Sequence, residues 1–144
     1  MLIETPESSQ TRRNLVVENL SPPPTILVVD DEDTVRDLLR EYLTNSGYRV
    51  LIAADGMEAL TLSQEHQGPI NLLLTDVLMP GMNGSTLAAR MAAGRPETKV
   101  LYISGYTPSI GVHHSVPNPG TAFLPKPFTR EVLLSTIRIV MEAH

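Results

Sequence analysis

Thr25-Ile-Leu-Val-Val-Asp-Asp31 is an unbroken apolar run that stops on two adjacent carboxylates. A run without polar alternation reads as a strand buried on both faces, the situation inside a parallel sheet. Two further runs end in charge. Asn71-Leu-Leu-Leu-Thr75 is followed by Asp76, and Thr121-Ala-Phe-Leu124 leads to Lys126, which stands between Pro125 and Pro127. If these runs are neighbouring parallel strands, three carboxylates and one ammonium meet at one sheet edge. Ordinary core packing has no use for that arrangement, because carboxylates so close repel unless a cation joins them.

Working outward, strands and helices alternate. Val35, Leu38, Leu39, Tyr42 and Leu43 recur at helical spacing, and Gly47 stops that helix. Asp33 is a candidate cap for it. Tyr48–Ala53 reads as a second strand, with Arg49 suggesting an edge. Asp55-Gly-Met-Glu58 has capping-box spacing and opens a helix to about His66. Ile70–Thr75 is the third strand. Gly84–Ala93 is a short helix closed by Gly94 and Pro96, and Val100–Ile103 is the fourth strand. Three prolines, Gly111 and two histidines allow only a short helix within 107–119. Thr121–Leu124 is the fifth strand, and Thr129 caps a last helix whose inner stripe is Leu133, Ile137, Val140 and Met141.

Five strands with intervening helices imply an α/β fold with right-handed crossovers. The expected form is a flavodoxin-like, doubly wound five-stranded parallel sheet of order 2-1-3-4-5, with helices on both faces. In that order strand 1 lies beside strand 3, so Asp30 and Asp31 neighbour Asp76. Strand 5 becomes an edge, where Pro125 is tolerated. Open sheets of this type bind ligands at the carboxyl ends of strands 1 and 3.

The chain has 144 residues, enough for one domain with a core. Residues 1–24 read as a flexible tail or linker, rich in Pro, Ser and Thr, and 25–144 as the folded domain. Leu15-Val16-Val17 and Leu20 interrupt the tail. No apolar run nears the roughly 20 residues of a spanning helix, and no secretory signal is visible. The absence of cysteine excludes disulfides and thiolate metal sites and fits a cytoplasmic protein. The net charge of −5 disfavours a nucleic-acid surface.

Neighbouring strands lie about 4.8 Å apart. Carboxylates at that spacing in a partly dry crevice repel strongly, and a hard divalent cation relieves this. Oxygen donors without Cys or a His pair suit Mg²⁺ better than Zn²⁺. A carboxylate beside the cation can then act as a nucleophile, and aspartyl phosphate formation is one use of such a group. Lys126 and Ser104 are placed to neutralise and hydrogen-bond phosphoryl oxygens.

Four stretches, Ile26-Leu-Val-Val-Asp-Asp-Glu32, Thr75-Asp-Val-Leu-Met-Pro-Gly-Met-Asn-Gly84, Leu101-Tyr-Ile-Ser-Gly105 and Leu124-Pro-Lys-Pro-Phe128, resemble the motifs of response-regulator receiver domains. The likeness covers about 25–143 in the family's order and spacing. It implies a phosphorylation switch of a two-component phosphorelay, not an enzyme with an external substrate. Asp76 would be the phosphoacceptor. Asp31, Asp76 and the backbone carbonyl of Leu78 would bind Mg²⁺ directly, and Asp30 would hold it through water. Lys126 would pair with the acceptor and then with the phosphoryl group. Ser104 would be the switch hydroxyl, Phe123 the switch aromatic, and Lys126–Pro127 a cis bond. The implied partner is a histidine kinase or histidine phosphotransfer protein, without direct nucleic-acid binding or membrane insertion; a homodimer is left open.

Departures from the commonest family pattern also carry expectations. Ser104 replaces the frequent Thr, and Phe123 replaces the frequent Tyr. Leu78 and Tyr106 occupy the positions that tune water attack, and neither suits activation of water, so slow self-hydrolysis is expected. The phrase Ser104-Gly-Tyr-Thr107 and the proline-bearing tail resemble receivers at the C-terminal end of hybrid sensor kinases. Adjacent His113 and His114 read as loop residues, since neighbours share no helix face.

Two other functions compete. Asp31-Glu-Asp33-Thr-Val35 fits the signature of haloacid-dehalogenase-like phosphatases, with Asp31 as nucleophile and Asp33 as acid/base. That reading leaves Asp76 idle and lacks a later acidic metal motif. A non-switching scaffold is the other, and the intact acidic set argues against it.

Overall fold

The run at 25–29 is paired on both sides. In the computed structural model, which describes residues 22–105 and 121–142, β1 (Thr25–Val29) lies between β2 (Arg49–Ala53) and β3 (Leu72–Asp76). Beyond β3 come β4 (Lys99–Ser104) and β5 (Thr121–Pro125), giving the parallel order 2-1-3-4-5. The helices are α1 (Asp33–Asn45), α2 (Gly56–Glu65), α3 (Gly84–Gly94) and α4 (Arg130–Glu142). The fold is the flavodoxin-like sheet expected from the apolar runs. The expectations placed on residues 1–21, on Tyr106, on 107–119 and on His113 and His114 fall outside the described residues.

Side-chain alternation along the buried strands divides the core in two. Ile26, Val28, Leu72, Leu74, Leu101 and Ile103 face α1 and α4, where they meet Leu39, Leu43, Leu133, Ile137 and Val140. Leu27, Val29, Ala53 and Leu73 face the opposite side and meet Ala59, Leu87 and Met91 of α2 and α3. Both faces of β1 are therefore dry, which is why its sequence shows no alternation.

The helix starts follow local chemistry, with one correction. Glu58 N–H donates to Asp55 Oδ1 at 2.8 Å, the first half of the capping box, while the Glu58 carboxylate reaches one residue past the cap and accepts from Ala54 N–H at 2.7 Å. Asn83 caps α3 through Thr86 N–H at 2.9 Å, and Thr129 caps α4 through Val132 N–H at 3.1 Å. Asp33, however, is not the cap of α1. Glu32 holds that position without a side-chain bond, and Asp33 sits in the first turn, where its charge favours the helix dipole. Leu38 is another departure: it fits the helical spacing yet is 41% exposed. Strand ends shift by a residue or two, and β3 runs on to Asp76 itself.

One side chain ties α2 to α3. The Arg95 guanidinium donates to the carbonyls of Ser63, His66 and Gly68 at 2.8 to 3.3 Å and to Ser63 Oγ at 3.1 Å. It thereby satisfies carbonyls that the end of α2 leaves without helical donors.

Candidate functional site

The parallel register brings the charged strand ends to one edge. Val29 is level with Thr75, Asp76 with Ile103, and Ser104 with Pro125. The next residue after each strand, or its last, therefore projects at the same height. Carboxylate oxygens of Asp30, Asp31 and Asp76 all lie within 4.8 Å of one another. Lys126 Nζ stands 3.5 Å from Asp30 Oδ2, 3.5 Å from Asp76 Oδ2 and 4.0 Å from Glu32 Oε1. The four residues singled out by position in the sequence converge.

Their exposures differ, and so do their partners. Asp30 is 1% exposed. Its Oδ1 accepts from Glu32 N–H at 2.9 Å, its Oδ2 faces Lys126, and its amide donates to Ala53 O at 3.3 Å. Both of its oxygens are engaged by protein donors. Asp31 is exposed at the rim. Asp76 is largely buried, with Oδ1 accepting from Leu78 N–H at 3.3 Å. Burial pushes the Asp76 carboxyl above the usual carboxylate range. Lys126 pulls it down and Asp30 pushes it further up. Burial also opposes charge on Lys126, but Asp30, Asp76 and Glu32 outweigh it and hold the ammonium above its ordinary range.

The remaining expected residues flank this pocket. Ser104 is buried at the end of β4, and its carbonyl accepts from Lys126 N–H at 2.9 Å, which fixes the start of the lysine loop. The Lys126–Pro127 bond is cis. Leu78 is 58% exposed and offers no side-chain donor. Phe123 stacks on Tyr102 across β4 and β5, with ring centroids 5.1 Å apart. Met79 is buried in the core cluster facing α2 and α3, and the partly buried Met82 packs against it.

Two contributors escaped the sequence reading. Arg36 reaches back from α1 to the carbonyl of Asp30. Gly84 lets the start of α3 press on the backbone of Asp76 itself. A Cβ there would stand 2.4 Å from the Asp76 carbonyl oxygen and 3.2 Å from Thr75 Cγ2, while Gly84 N–H donates to Val77 O at 2.8 Å. The signal for Gly84 was a glycine at a helix start, where Ser, Ala or an acid is unremarkable. Neither colliding atom is the end of a flexible chain. Gly84→Ala is expected to cost about 1–3 kcal/mol in thermal or urea unfolding and to displace Asp76. A variant as stable as the parent would contradict that.

A five-stranded 2-1-3-4-5 sheet with a carboxylate cluster and a lysine at its switch point defines a class of phosphoacceptor proteins. The chain matches the response regulator receiver domain family over residues 26–138, and it belongs to that family. It is 32% identical over 139 residues, 96% of its length, to the sensor kinase CckA of Brucella abortus, of which it covers 15%. The crystal structure of the receiver domain from the hybrid histidine kinase CckA superposes with TM-score 0.71 at 38% identity, covering 82% of this chain and 99% of that one. The chemotaxis protein CheY4 of Vibrio cholerae superposes with TM-score 0.72 at 32% identity, over 82% and 98%. The chain spans 15%, 28% and 45% of the first three curated relatives it matches. Receiver domains are signalling modules of two-component systems, and this chain has their phosphoacceptor role. The phosphatase reading finds no support. Asp33 stands outside the carboxylate group and pairs with Arg36. Among the described residues no helix is long and apolar enough to cross a membrane.

Proposed function

We propose that Asp76 takes a phosphoryl group from a phosphohistidine, on a histidine kinase or a histidine phosphotransfer protein, with Mg²⁺ in the pocket. The observation that carries this is the lysine: one ammonium 3.5 Å from both a buried carboxylate and the largely buried Asp76. The Asp76 oxygen forms a bond to phosphorus as the donor's P–N bond breaks, and the imidazole leaves with that electron pair. Lys126 is within reach of the incoming phosphoryl oxygens, and Ser104 supplies a hydroxyl beside them.

The three-carboxylate group fits a hard, oxygen-preferring cation, since no sulfur or imidazole donor belongs to it. Asp31, Asp76 and the Leu78 carbonyl would hold Mg²⁺ directly. Asp30, with both oxygens already engaged by Glu32 N–H and Lys126, would do so through water. When bound, the ion supplies neutralisation of phosphoryl oxygen charge. Phe123 would follow Ser104 inward as the switch aromatic.

The organisation that fits this role is a tail or linker at 1–24 and a receiver domain at 25–144. Placement within a hybrid kinase is supported by the alignment with the CckA receiver, and a cytoplasmic location fits the absence of cysteine. Output would pass through protein contacts, since the net charge of −5 offers no phosphate-backbone footprint.

Incubation with acetyl phosphate and Mg²⁺ tests the reading. Intact mass is expected to show a single phosphoryl adduct, absent when a chelator removes the metal. An unmodified protein, or an adduct mapped elsewhere than Asp76, overturns it. Because the Leu78 side chain cannot polarise water, the adduct is expected to persist for minutes or longer after excess donor is removed. Decay within seconds would contradict that.

A further inference from the structure

The Asp30–Asp31 peptide carries two of the three carboxylates, yet it lies beyond the end of β1, where the strand ladder no longer fixes it. Something else must set its plane. The Arg36 guanidinium, one turn into α1, folds back over the helix start. Its Nη1 donates to the Asp30 carbonyl at 2.6 Å, and its Nη2 is held by Asp33 Oδ1. The Arg36 side chain is only 15% exposed, whereas Asp33 is 83% exposed. The arginine is therefore packed into the loop, and the outer carboxylate serves as its anchor. Arg36 N–H donates to Glu32 O at 3.1 Å, the first hydrogen bond of the helix, so its side chain springs from an ordered turn.

We infer that Arg36 is a positioning residue for the metal pocket: it fixes the Asp30–Asp31 peptide so that Asp31 faces Asp76 at ligand spacing. The physical reasons are two. A guanidinium offers a rigid fork, so one group can hold a carbonyl and a carboxylate at once. A carbonyl held on one side of the peptide fixes the direction in which the following Cα–Cβ bond leaves. Among the described residues the other tethers of this loop act on either side of that carbonyl: the Asp30 amide to Ala53 O, the Asp30 carboxylate to Lys126 and across Asp31 to Glu32 N–H, and Glu32 Oε1 to Lys126. The Arg36 contact acts on the Asp30 carbonyl itself, in the Asp30–Asp31 peptide. Groups that hold metal ligands without touching the metal change affinity by about 10–100-fold when removed.

This inference rests on the Mg²⁺ reading above, and the experiment separates the two. Mg²⁺ is titrated into full-length wild type, Arg36→Gln and Arg36→Lys by calorimetry, with thermal midpoints recorded in chelator and in excess Mg²⁺. Arg36→Gln is expected to bind Mg²⁺ about tenfold or more weakly. Its Mg²⁺-induced rise in midpoint should shrink accordingly, beyond any fall in the midpoint without metal. Arg36→Lys keeps the charge but cannot span both partners, so it is expected to stay weaker than wild type. If Arg36→Gln does not fold, Arg36→Lys decides the matter alone. Wild-type affinity in the folded variants overturns the positioning role, as does a fall in midpoint that is equal with and without metal. Wild type that takes up no Mg²⁺ overturns the metal reading and this inference with it.

Discussion

Asp76→Asn stays folded and takes up no phosphoryl group from acetyl phosphate in the presence of Mg²⁺. The amide is nearly the same size as the carboxylate but is not a nucleophile, so the adduct mass expected for wild type is absent. The same substitution is expected to stabilise the metal-free protein at neutral pH. Burial and the nearby Asp30 charge both disfavour the Asp76 carboxylate, and together they exceed what Lys126 returns. The folded state therefore binds the Asp76 proton more tightly than the unfolded state does. At pH above the raised carboxyl value, wild type bears the full penalty of an ionised Asp76. As pH falls through that value the penalty fades, and it is gone below the ordinary carboxylate value. Melts of both proteins in chelator should thus show an advantage for Asn at neutral pH that closes on acidification. A persistent adduct in the variant, or a lower midpoint at pH 7, would count against the pocket as described.

Lys126→Met should produce the second large effect. It removes the ammonium that stands within 4.0 Å of the Asp30, Glu32 and Asp76 carboxylates while keeping an unbranched chain of similar length. Phosphorylation is expected to slow about 10²–10³-fold, the usual consequence of deleting one group aimed at developing oxygen charge. Asp30, 1% exposed, is left with its negative charge and without its cationic partner, and breaking such a pair from one side costs about 3–5 kcal/mol. The raised Lys126 value sets the pH window. The ammonium's contribution is complete below the ordinary lysine range and is lost as pH climbs through the raised value, so the deficit should be flat around neutrality. Added Mg²⁺ should restore part of the midpoint, because a dication in the same pocket opposes the same repulsion. Undiminished phosphorylation rate would show that the lysine is merely a surface cation.

Much of this was readable before any coordinates. The continuous apolar runs Ile26–Val29 and Leu72–Leu74, each leading into a carboxylate, encode strands dry on both faces and a charged sheet edge. Asp55 with Glu58, and Thr129, announced helix starts through side chains that bond local amides, a short-range effect that sequence records well. What escaped depends on distances between segments. Arg36 looks like any solvated helix arginine until the loop places a carbonyl beside it. Arg95 looks like a loop residue until the end of α2 arrives with three open carbonyls. Gly84 matters because of Asp76, eight positions earlier, and no periodicity carries that. Leu38 fits the apolar spacing of α1 but points off the stripe defined by Leu39 and Leu43, so spacing alone overcounted the core.

The two outer ribbons of the sheet end differently from the inner ones. β2 begins with exposed Arg49, and β5 closes on Pro125, which has no amide hydrogen to offer. A lateral copy seeking to extend the ladder would meet a guanidinium on one flank and a missing donor on the other. The same proline that delivers the lysine to the pocket thus helps guard the molecule against edge-to-edge polymerisation.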